Sequence, residues 1–352
     1  MTTTHPEPGT ASVRAARSRL AGRVTDTPVL RSADLDRRAG AQLWLKAEHR
    51  QRGGSFKVRG ALLAGDRLVR AGSRGLVAHS TGNHAIAVAL AAADLGRRAV
   101  TVLPHDVVPS KAARIVATGA KVVLVRGGLA ERSRVAASIA SSQGLDLVDP
   151  YDDEDVIAGH GTAIAELLDH MVASGGRPAA VVVPVGGGGA LAGACLAVHD
   201  HDRGQYNERA FAAGLDGDRI DVIGAEPSAV DSLRQALWAG HPVTVTARPT
   251  IADGLRPDRV GDLPFRICRE QGARVRVATE GEIAAGMRAV WLDAELLVEP
   301  SSATAVAVAL RLARDNPRLR GADIGVLLSG GNVDRAVAAT VLGEQAELGG
   351  LT

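Results

Sequence analysis

The sequence is poor in aromatic residues and carries no excess of charge of one sign. Aromatic side chains make up 2% of the 352 residues, and 41 basic residues nearly balance 39 acidic ones. Nucleic-acid binding relies on a basic surface and, for single strands, on aromatic side chains that stack against bases. We therefore expect a protein that binds no nucleic acid.

Cysteine is also scarce, since Cys195 and Cys268 are the only two in the chain. They lie far apart and have no paired spacing of the kind that metal or redox sites use. We expect two buried free thiols in a reducing compartment, and hence a cytoplasmic protein.

One uncharged run, residues 178–198, is long enough to cross a bilayer, which takes about 20 residues. Pro184 and four consecutive glycines would break a spanning helix at its middle. We predict a buried strand, a turn and the start of a helix there instead. Residues 1–10 are polar, with no apolar core after them, so we expect disorder, no signal peptide and no membrane association.

Apolar strands alternate with helical segments along most of the chain, as in parallel sheets covered on both faces. The predicted fold is therefore α/β, with two doubly wound parallel-sheet domains and a cleft between them. We assign residues 69–151 to a small domain and residues 1–68 and 152–352 to a large one. In the large domain, we predict a helix from Thr162 to His170.

Lys57 lies in a glycine-containing run after a predicted strand, and three polar or glycine-rich turns follow other strands. These turns are residues 80–84, 186–189 and 329–332. Ligands of open α/β sheets bind at the carboxyl ends of the strands. An imine-forming lysine, a phosphate cradle and polar contacts to a ring are what pyridoxal phosphate (PLP) requires.

The glycine tetrad at residues 186–189 follows a strand and opens a helix, where backbone N–H groups attract a phosphate. It is not a P-loop, because no Lys-Ser/Thr pair follows. Gly187, Gly189 and Ala192 also fit a dinucleotide-binding pattern, with Glu226 as the ribose-binding acid. That alternative needs an acid about 20 residues on, and Glu226 lies too far away. A dehydrogenase would also leave Lys57 and Ser329 without a task.

Each remaining candidate has a simpler structural interpretation. Lys57 alone could be a surface lysine, although Phe56, Arg52 and Arg59 lie nearby and cationic neighbours help a lysine to lose its proton. Asn83 could be a helix cap and Ser329 a turn residue. For His84, we favour a hydrogen-bonded position at the start of a helix over a role as a base.

Taken in order, these motifs resemble those of the threonine/serine dehydratases and serine racemases, which are fold-type II PLP enzymes. The resemblance extends from about residue 12 to about residue 340. The runs that carry it are residues 55–61 (SFKVRGA), 80–84 (STGNH), 156–162 (VIAGHGT), 186–189 (GGGG), 224–227 (GAEP), 251–255 (IADGL), 298–301 (VEPS) and 328–334 (LSGGNVD).

The resemblance implies how the cofactor is held. Lys57 would form the Schiff base with PLP, and Phe56 and Gly254 would flank the ring on opposite faces. Asn83 would contact the ring hydroxyl, and the hydroxyl of Ser329 would meet the pyridine nitrogen. The phosphate would be bound by Gly186, Gly187, Gly188, Gly189 and Ala190.

The resemblance also implies a substrate site. Ser80, with backbone N–H groups of Thr81, Gly82 and His84, would bind the carboxylate of an amino acid, and Lys57 would move its Cα proton. Thr81 stands where family members that dehydrate often have Ala and those that racemise have Ser. Its hydroxyl could protonate the second face, so we count Ser80 and Thr81 with Lys57 as candidate catalytic residues.

The family's divalent-cation site would begin at Glu226. Its later acidic ligand is replaced here by Ser232, so the sequence leaves a cation requirement open. The turn at residues 149–152 and the pair Ser301-Ser302 are expected to shape the side-chain pocket.

The function that this resemblance implies is a PLP-dependent ammonia-lyase that converts a β-hydroxy-α-amino acid to a 2-oxo acid. L-threonine and L-serine are the first expected substrates. The alternatives are a serine-type racemase, a dehydratase of a specialised hydroxyamino acid, a β-replacement enzyme, and a PLP-binding or amino-acid-sensing module without chemistry. A homodimer is expected from the family alone.

Overall fold

The computed structural model describes residues 10–107, 109–205 and 219–343. The segment expected to be disordered, residues 1–10, lies outside this range except for Thr10. Two sheets organise the described chain.

The larger sheet has six strands in the order β1-β2-β10-β7-β8-β9. All neighbouring strands run parallel except β1, which pairs antiparallel with β2. The strands are β1 (Val29–Leu30), β2 (Gln42–Lys46), β7 (Pro178–Pro184), β8 (Asp221–Pro227), β9 (Arg274–Ala278) and β10 (Asp323–Leu327).

The smaller sheet has four parallel strands in the order β5-β4-β3-β6. Its strands are β3 (Gly75–Ala78), β4 (Arg98–Pro104), β5 (Lys121–Val125) and β6 (Asp146–Leu147). All of them fall inside the predicted small domain. The two-domain α/β fold is thus confirmed, while the boundaries at residues 69 and 151 stay a prediction.

Helices cover both sheets. They are α1 (Thr10–Leu20), α2 (Ala33–Ala39), α3 (Lys57–Arg70), α4 (Asn83–Asp94), α5 (Pro109–Val116), α6 (Leu129–Gln143), α7 (Glu154–Ala173), α8 (Gly189–Gln205), α9 (Ser232–Ala239), α10 (Asp262–Glu270), α11 (Glu280–Ala294), α12 (Pro300–Asp315) and α13 (Arg335–Leu342).

Strand β7 shows why the larger sheet is buried on both faces. Ala180 and Val182 pack into one hydrophobic core, and Val181 and Val183 pack into another. Successive side chains of a strand point to opposite faces, so a wholly apolar strand fills both cores. The uncharged run of residues 178–198 is therefore a strand, a turn and part of a helix. No helix within the described residues is both long enough and apolar enough to span a membrane.

Helix α7 begins earlier than predicted, at Glu154 instead of Thr162. The Asp153 carboxylate caps it by accepting the Val156 N–H at 3.1 Å. The first half of the helix was not predicted because it contains glycines at 159 and 161, and glycine weakens an isolated helix. A Cβ at Gly159 would lie 2.7 Å from the backbone of α3, so these glycines serve close helix packing.

Cys195 and Cys268 are free and buried, as predicted. Although distant in sequence, they lie in the same hydrophobic core. A hydrogen bond to Cys195, together with burial, raises the pKa of Cys268. The thiol of Cys268 is therefore kept protonated.

Candidate active site

The predicted site residues gather where strands of both sheets end. β2 leads to Lys57, β3 to Asn83, β7 to the glycine tetrad and β10 to Ser329. The chain beside Lys57 is tied to the end of β10, since the Phe56 N–H donates to the Ser329 carbonyl at 3.1 Å. Ser55 also forms an isolated antiparallel bridge with Gly330.

Lys57 is the first residue of α3 and remains partly exposed. Its Nζ donates to the Pro150 carbonyl at 2.7 Å and lies 5.1 Å from the centre of the Phe56 ring. Burial by the surrounding protein lowers the pKa of Lys57 to about 8, although Asp149 and Glu299 oppose the shift. A substantial neutral fraction near neutral pH is what an imine-forming lysine needs.

The expectation that Arg52 and Arg59 assist this shift was wrong. Arg59 is fully buried and pairs with Glu48 at 2.8 Å and with Glu166 at 2.7 Å. Arg52 pairs with Asp94 at 2.7 Å. Both guanidinium charges are neutralised by carboxylates, so desolvation alone is left to lower the pKa of Lys57.

The glycine tetrad connects β7 to α8, and the structure gives reasons for glycine at each position. A Cβ at Gly187 would lie 2.1 Å from the Tyr151 ring, and one at Gly189 would lie 2.9 Å from the Tyr151 carbonyl. Gly188 has φ = +93°, which disfavours other residues, and a Cβ at Gly186 would lie 3.2 Å from the Gly254 carbonyl. Ala190 follows in the first turn of α8, where N–H groups lack partners within the helix.

Gly254 lies in a short turn close to the tetrad. Its N–H donates to Ser301 Oγ at 3.1 Å, and a Cβ there would lie 2.8 Å from the same oxygen. The Phe56 ring, on the Lys57 side, packs edge-on against buried His160 at 4.5 Å between ring centres. Whether Phe56 and Gly254 sandwich a cofactor ring stays a prediction.

Ser329 lies two residues after the end of β10 and is 3% exposed. Its hydroxyl lies 3.0 Å from the hydroxyl of Ser302, which also bonds the carbonyl and the N–H of Gly330 at 2.8 Å. Ser302 therefore supports Ser329, and its expected part in the side-chain pocket stays a prediction.

Asn83 begins α4 and lies in a polar network that sequence analysis did not foresee. Its Nδ2 donates to the carboxylate of Glu299 at 2.9 and 3.1 Å, and its Oδ1 accepts from Asn332 Nδ2 at 2.8 Å. Burial raises the pKa of Glu299 to about 7.

The loop between β3 and α4 holds the predicted substrate-binding residues. Ser80 Oγ accepts the Gly82 N–H at 3.3 Å, and Thr81 lies between them, partly buried. A ring nitrogen of buried His84 lies 2.8 Å from the Val148 carbonyl. Burial, with the nearby charge of Lys57, lowers the pKa of His84 to about 3, so this histidine is neutral.

Arg132, in the first turns of α6, is a residue that sequence analysis missed. Its Nη1 donates to the carbonyl of His79 at 3.0 Å, next to Ser80. Its Nε is buried and has no hydrogen-bond partner among the described residues. No linear motif marks this arginine, because its position depends on how α6 packs beside the loop.

Glu226 is buried at the end of β8 and accepts the N–H groups of Leu233 and Arg234 at 2.8 and 3.0 Å. Burial raises the pKa of Glu226 to about 8. Through these two accepted hydrogen bonds, the Glu226 side chain stabilises the start of α9. Within the described residues, no group of three His, Cys, Asp or Glu side chains is arranged to hold a metal ion.

The residues present fit PLP. The glycine tetrad opens α8, where backbone N–H groups lack partners within the helix, and Lys57 has a lowered pKa. The hydroxyl of Ser329 and the amide of Asn83 follow the ends of other strands. These features define a class of enzyme that binds a phosphorylated aldehyde cofactor between two α/β domains. The chain belongs to the pyridoxal-phosphate dependent enzyme family, whose model matches residues 20–330.

Similar proteins include lyases and racemases. An L-threo-3-hydroxyaspartate ammonia-lyase of Saccharomyces cerevisiae is 35% identical over 328 residues, covering 93% of this chain and 94% of its own. A serine racemase of Arabidopsis thaliana is 35% identical and covers 92% of each chain. The solved structure of serine racemase from Dictyostelium discoideum has a TM-score of 0.80 and 33% identity, covering 93% of this chain and 99% of its own.

Proposed function

We propose that this protein is an ammonia-lyase that eliminates water from a β-hydroxy-α-amino acid. The enamine released then takes up water and loses ammonia, so the net products are a 2-oxo acid and ammonia. The observation that carries the proposal is Lys57, whose amine has a pKa of about 8 and donates to the carbonyl of Pro150, the residue before Tyr151, whose ring packs against the glycine tetrad. Bound PLP would supply the electron sink that makes the Cα proton of an amino acid acidic.

Lys57 is the residue that moves the proton in this proposal. A general base works best when its pKa is near the operating pH, and the lowered pKa of Lys57 meets that condition. His84 is a poor second candidate, because its pKa of about 3 leaves it too weak a base. Lys57 Nζ would therefore take the Cα proton.

Ser329 favours elimination over chemistry that needs a long-lived carbanion. Its hydroxyl, supported by Ser302 at 3.0 Å, carries no charge and does not enforce protonation of a pyridine nitrogen. A carboxylate at this position would do so. A cofactor ring whose pyridine nitrogen is not protonated would be a weaker electron sink, and prompt loss of the β-hydroxyl would then be favoured.

The substrate carboxylate would bind at residues 80–84. There, Ser80 and the N–H groups at the start of α4 offer donors at a positive helix end. In the present structure, the Ser80 hydroxyl accepts from Gly82, and it remains able to donate to a carboxylate.

We further propose that the substrate has an acidic side chain, with L-threo-3-hydroxyaspartate ahead of L-threonine and L-serine. Arg132 supports this choice, because its buried Nε has no partner in the described chain and its Nη1 binds the carbonyl next to Ser80. Charge-assisted bonds from arginine to carboxylate are among the strongest in proteins. The yeast relative named for hydroxyaspartate supports the same choice.

The test is 2-oxo acid release from PLP-loaded protein given L-threo-3-hydroxyaspartate, L-threonine and L-serine separately. We expect release, fastest with hydroxyaspartate, and a loss of roughly 10²- to 10⁴-fold in a Lys57→Ala variant. Absence of 2-oxo acid with all three substrates, despite bound PLP, would contradict the lyase proposal.

A racemase is the second candidate, and Thr81 favours it. Its hydroxyl follows Ser80 in the loop before Asn83 and could deliver a proton to the face opposite Lys57. Chiral chromatography of recovered serine would test this candidate, with D-serine expected from the wild type and a reduced yield from Thr81→Ala.

A further inference from the structure

The side-chain amides of Asn83 and Asn332, with the carboxylate of Glu299, form what we call the amide network. Asn332 Nδ2 donates to the Gly53 carbonyl at 2.7 Å and to Asn83 Oδ1 at 2.8 Å. Asn83 Nδ2 donates in turn to both oxygens of Glu299, at 2.9 and 3.1 Å. The network therefore begins at a backbone carbonyl and ends at a buried acid.

The order of donors and acceptors fixes which way the amide of Asn83 points. A backbone carbonyl can only accept, so Asn332 must turn its NH₂ toward Gly53. That NH₂ then requires the oxygen of Asn83, and the nitrogen of Asn83 is left to face Glu299. A flipped Asn83 would place its NH₂ against the NH₂ of Asn332, and its oxygen against a carboxylate whenever Glu299 is ionised.

The network joins separate parts of the chain at one point. Asn83 starts α4 beside the smaller sheet, whereas Glu299 precedes α12 and Asn332 follows β10. A Cβ at Gly54 would lie 2.5 Å from Asn332 Oδ1, and one at Gly330 would lie 2.7 Å from Glu299 Oε1. Two glycines therefore make room for the network, which indicates a purpose beyond filling space.

We propose that Asn332 and Glu299 are positioning residues that keep an N–H of Asn83 directed at the phenolic oxygen of the cofactor. One N–H of Asn83 can serve both oxygens of Glu299, and the second stays available to a ligand. A donor at the phenolic oxygen stabilises its anionic form. The network would thus set where the proton of the Lys57–PLP Schiff base resides.

The variant that tests the proposal is Asn332→Asp. Aspartate has nearly the same shape but cannot donate to Gly53 or to Asn83, so the orientation of Asn83 is lost. Glu299→Gln is the conservative partner, because a glutamine carbonyl oxygen still accepts from Asn83. Asn316→Asp is the matched control, since Asn316 ends α12 far from the network and uses its oxygen to accept the Arg318 N–H.

The readout is the absorption spectrum of each holoenzyme across pH, together with PLP affinity. Asn332→Asp should raise the share of the shorter-wavelength absorption band, which comes from the Schiff base with a neutral phenolic oxygen. It should also weaken PLP binding roughly tenfold, as expected for a lost hydrogen bond to a charged group. Asn316→Asp and Glu299→Gln should keep the wild-type bands.

Three outcomes would overturn the proposal. Asn332→Asp could keep the wild-type bands, or it could destabilise the apoprotein without changing them, which would mark a structural role only. Glu299→Gln could shift the bands as far as Asn332→Asp, which would make charge and not orientation the cause. The spectrum and the PLP affinity do not depend on turnover. The proposal about the amide network and the lyase proposal can therefore fail independently of each other.

Discussion

The large-domain side of the site differs from the small-domain side in how its polar groups are satisfied. On the large-domain side, Ser329, Glu299 and Asn332 each hydrogen-bond within the protein, while buried His160, behind Phe56, has no partner for its ring nitrogens among the described residues. On the other side, Arg132 keeps a buried Nε without a partner in the part of the chain described here. We infer that the fold prepares the cofactor contacts in advance, whereas the substrate side keeps a donor free for an anion.

This difference assigns separate tasks to the two sides. Groups that are already hydrogen-bonded cannot rearrange cheaply, so the large-domain side holds one geometry for one cofactor. An unsatisfied buried donor costs about 1–3 kcal/mol, which a ligand can recover when it binds. Substrate choice would then depend on few residues of the small domain.

The largest effect should come from removing Lys57. Lys57→Ala should lower 2-oxo acid formation roughly 10²- to 10⁴-fold, the contribution of a positioned acid–base group. It should also abolish the Schiff-base absorption. Stopped-flow and spectral measurements would check both, with Lys121→Ala, an exposed lysine at the start of β5, as the control. Equal losses in the two variants would contradict the assignment of Lys57.

The next effect is that of pH on cofactor capture by the apoprotein. Only the neutral amine attacks an aldehyde, and the pKa of Lys57 is about 8. The neutral fraction therefore rises about 50-fold between pH 6 and pH 8 and changes little above pH 9. The rate constant for PLP binding, followed by absorbance, should rise in the same way. A plateau already reached at pH 6 would contradict the lowered pKa or the role of Lys57.

A smaller effect, on stability and on PLP affinity, is expected from a substitution in the glycine tetrad. Gly188→Ala should lower stability by about 1–2 kcal/mol, because φ is +93° and the new Cβ would lie 2.8 Å from Pro264. Denaturant unfolding and PLP titration would measure the change in free energy and in affinity. Gly281→Ala is the control, since a Cβ there meets nothing within 4 Å. Unchanged PLP affinity in Gly188→Ala would argue against a tight cradle.

Sequence reasoning can propose candidate site residues that stand in linear motifs at strand ends. Lys57, Asn83, the tetrad and Ser329 each follow a strand, and the parallel-sheet rule places such ends together. It also predicted β7 and the paired domains, because wholly apolar strands between helices have few other solutions.

Most of what it missed is contacts between residues remote in sequence. Glu299 reaches Asn83 across 216 positions, and Asn332 reaches it across 249. Arg132 is one of several arginines near α6 and is distinguished only by its packing beside His79. Strand β9, at the edge of the larger sheet, was not predicted either, because arginines at 274 and 276 interrupt its apolar residues.

The substrate preference of an Arg132→Gln variant tests most directly whether the small domain selects an acidic substrate. We expect kcat/KM for L-threo-3-hydroxyaspartate to fall roughly 10- to 100-fold, the value of a charged hydrogen bond, while that for L-serine stays within about threefold. Arg134→Gln, an exposed neighbour that pairs with Glu131, should match the wild type. Equal losses with both substrates, or no loss with either, would contradict the claim that the small domain selects an acidic substrate.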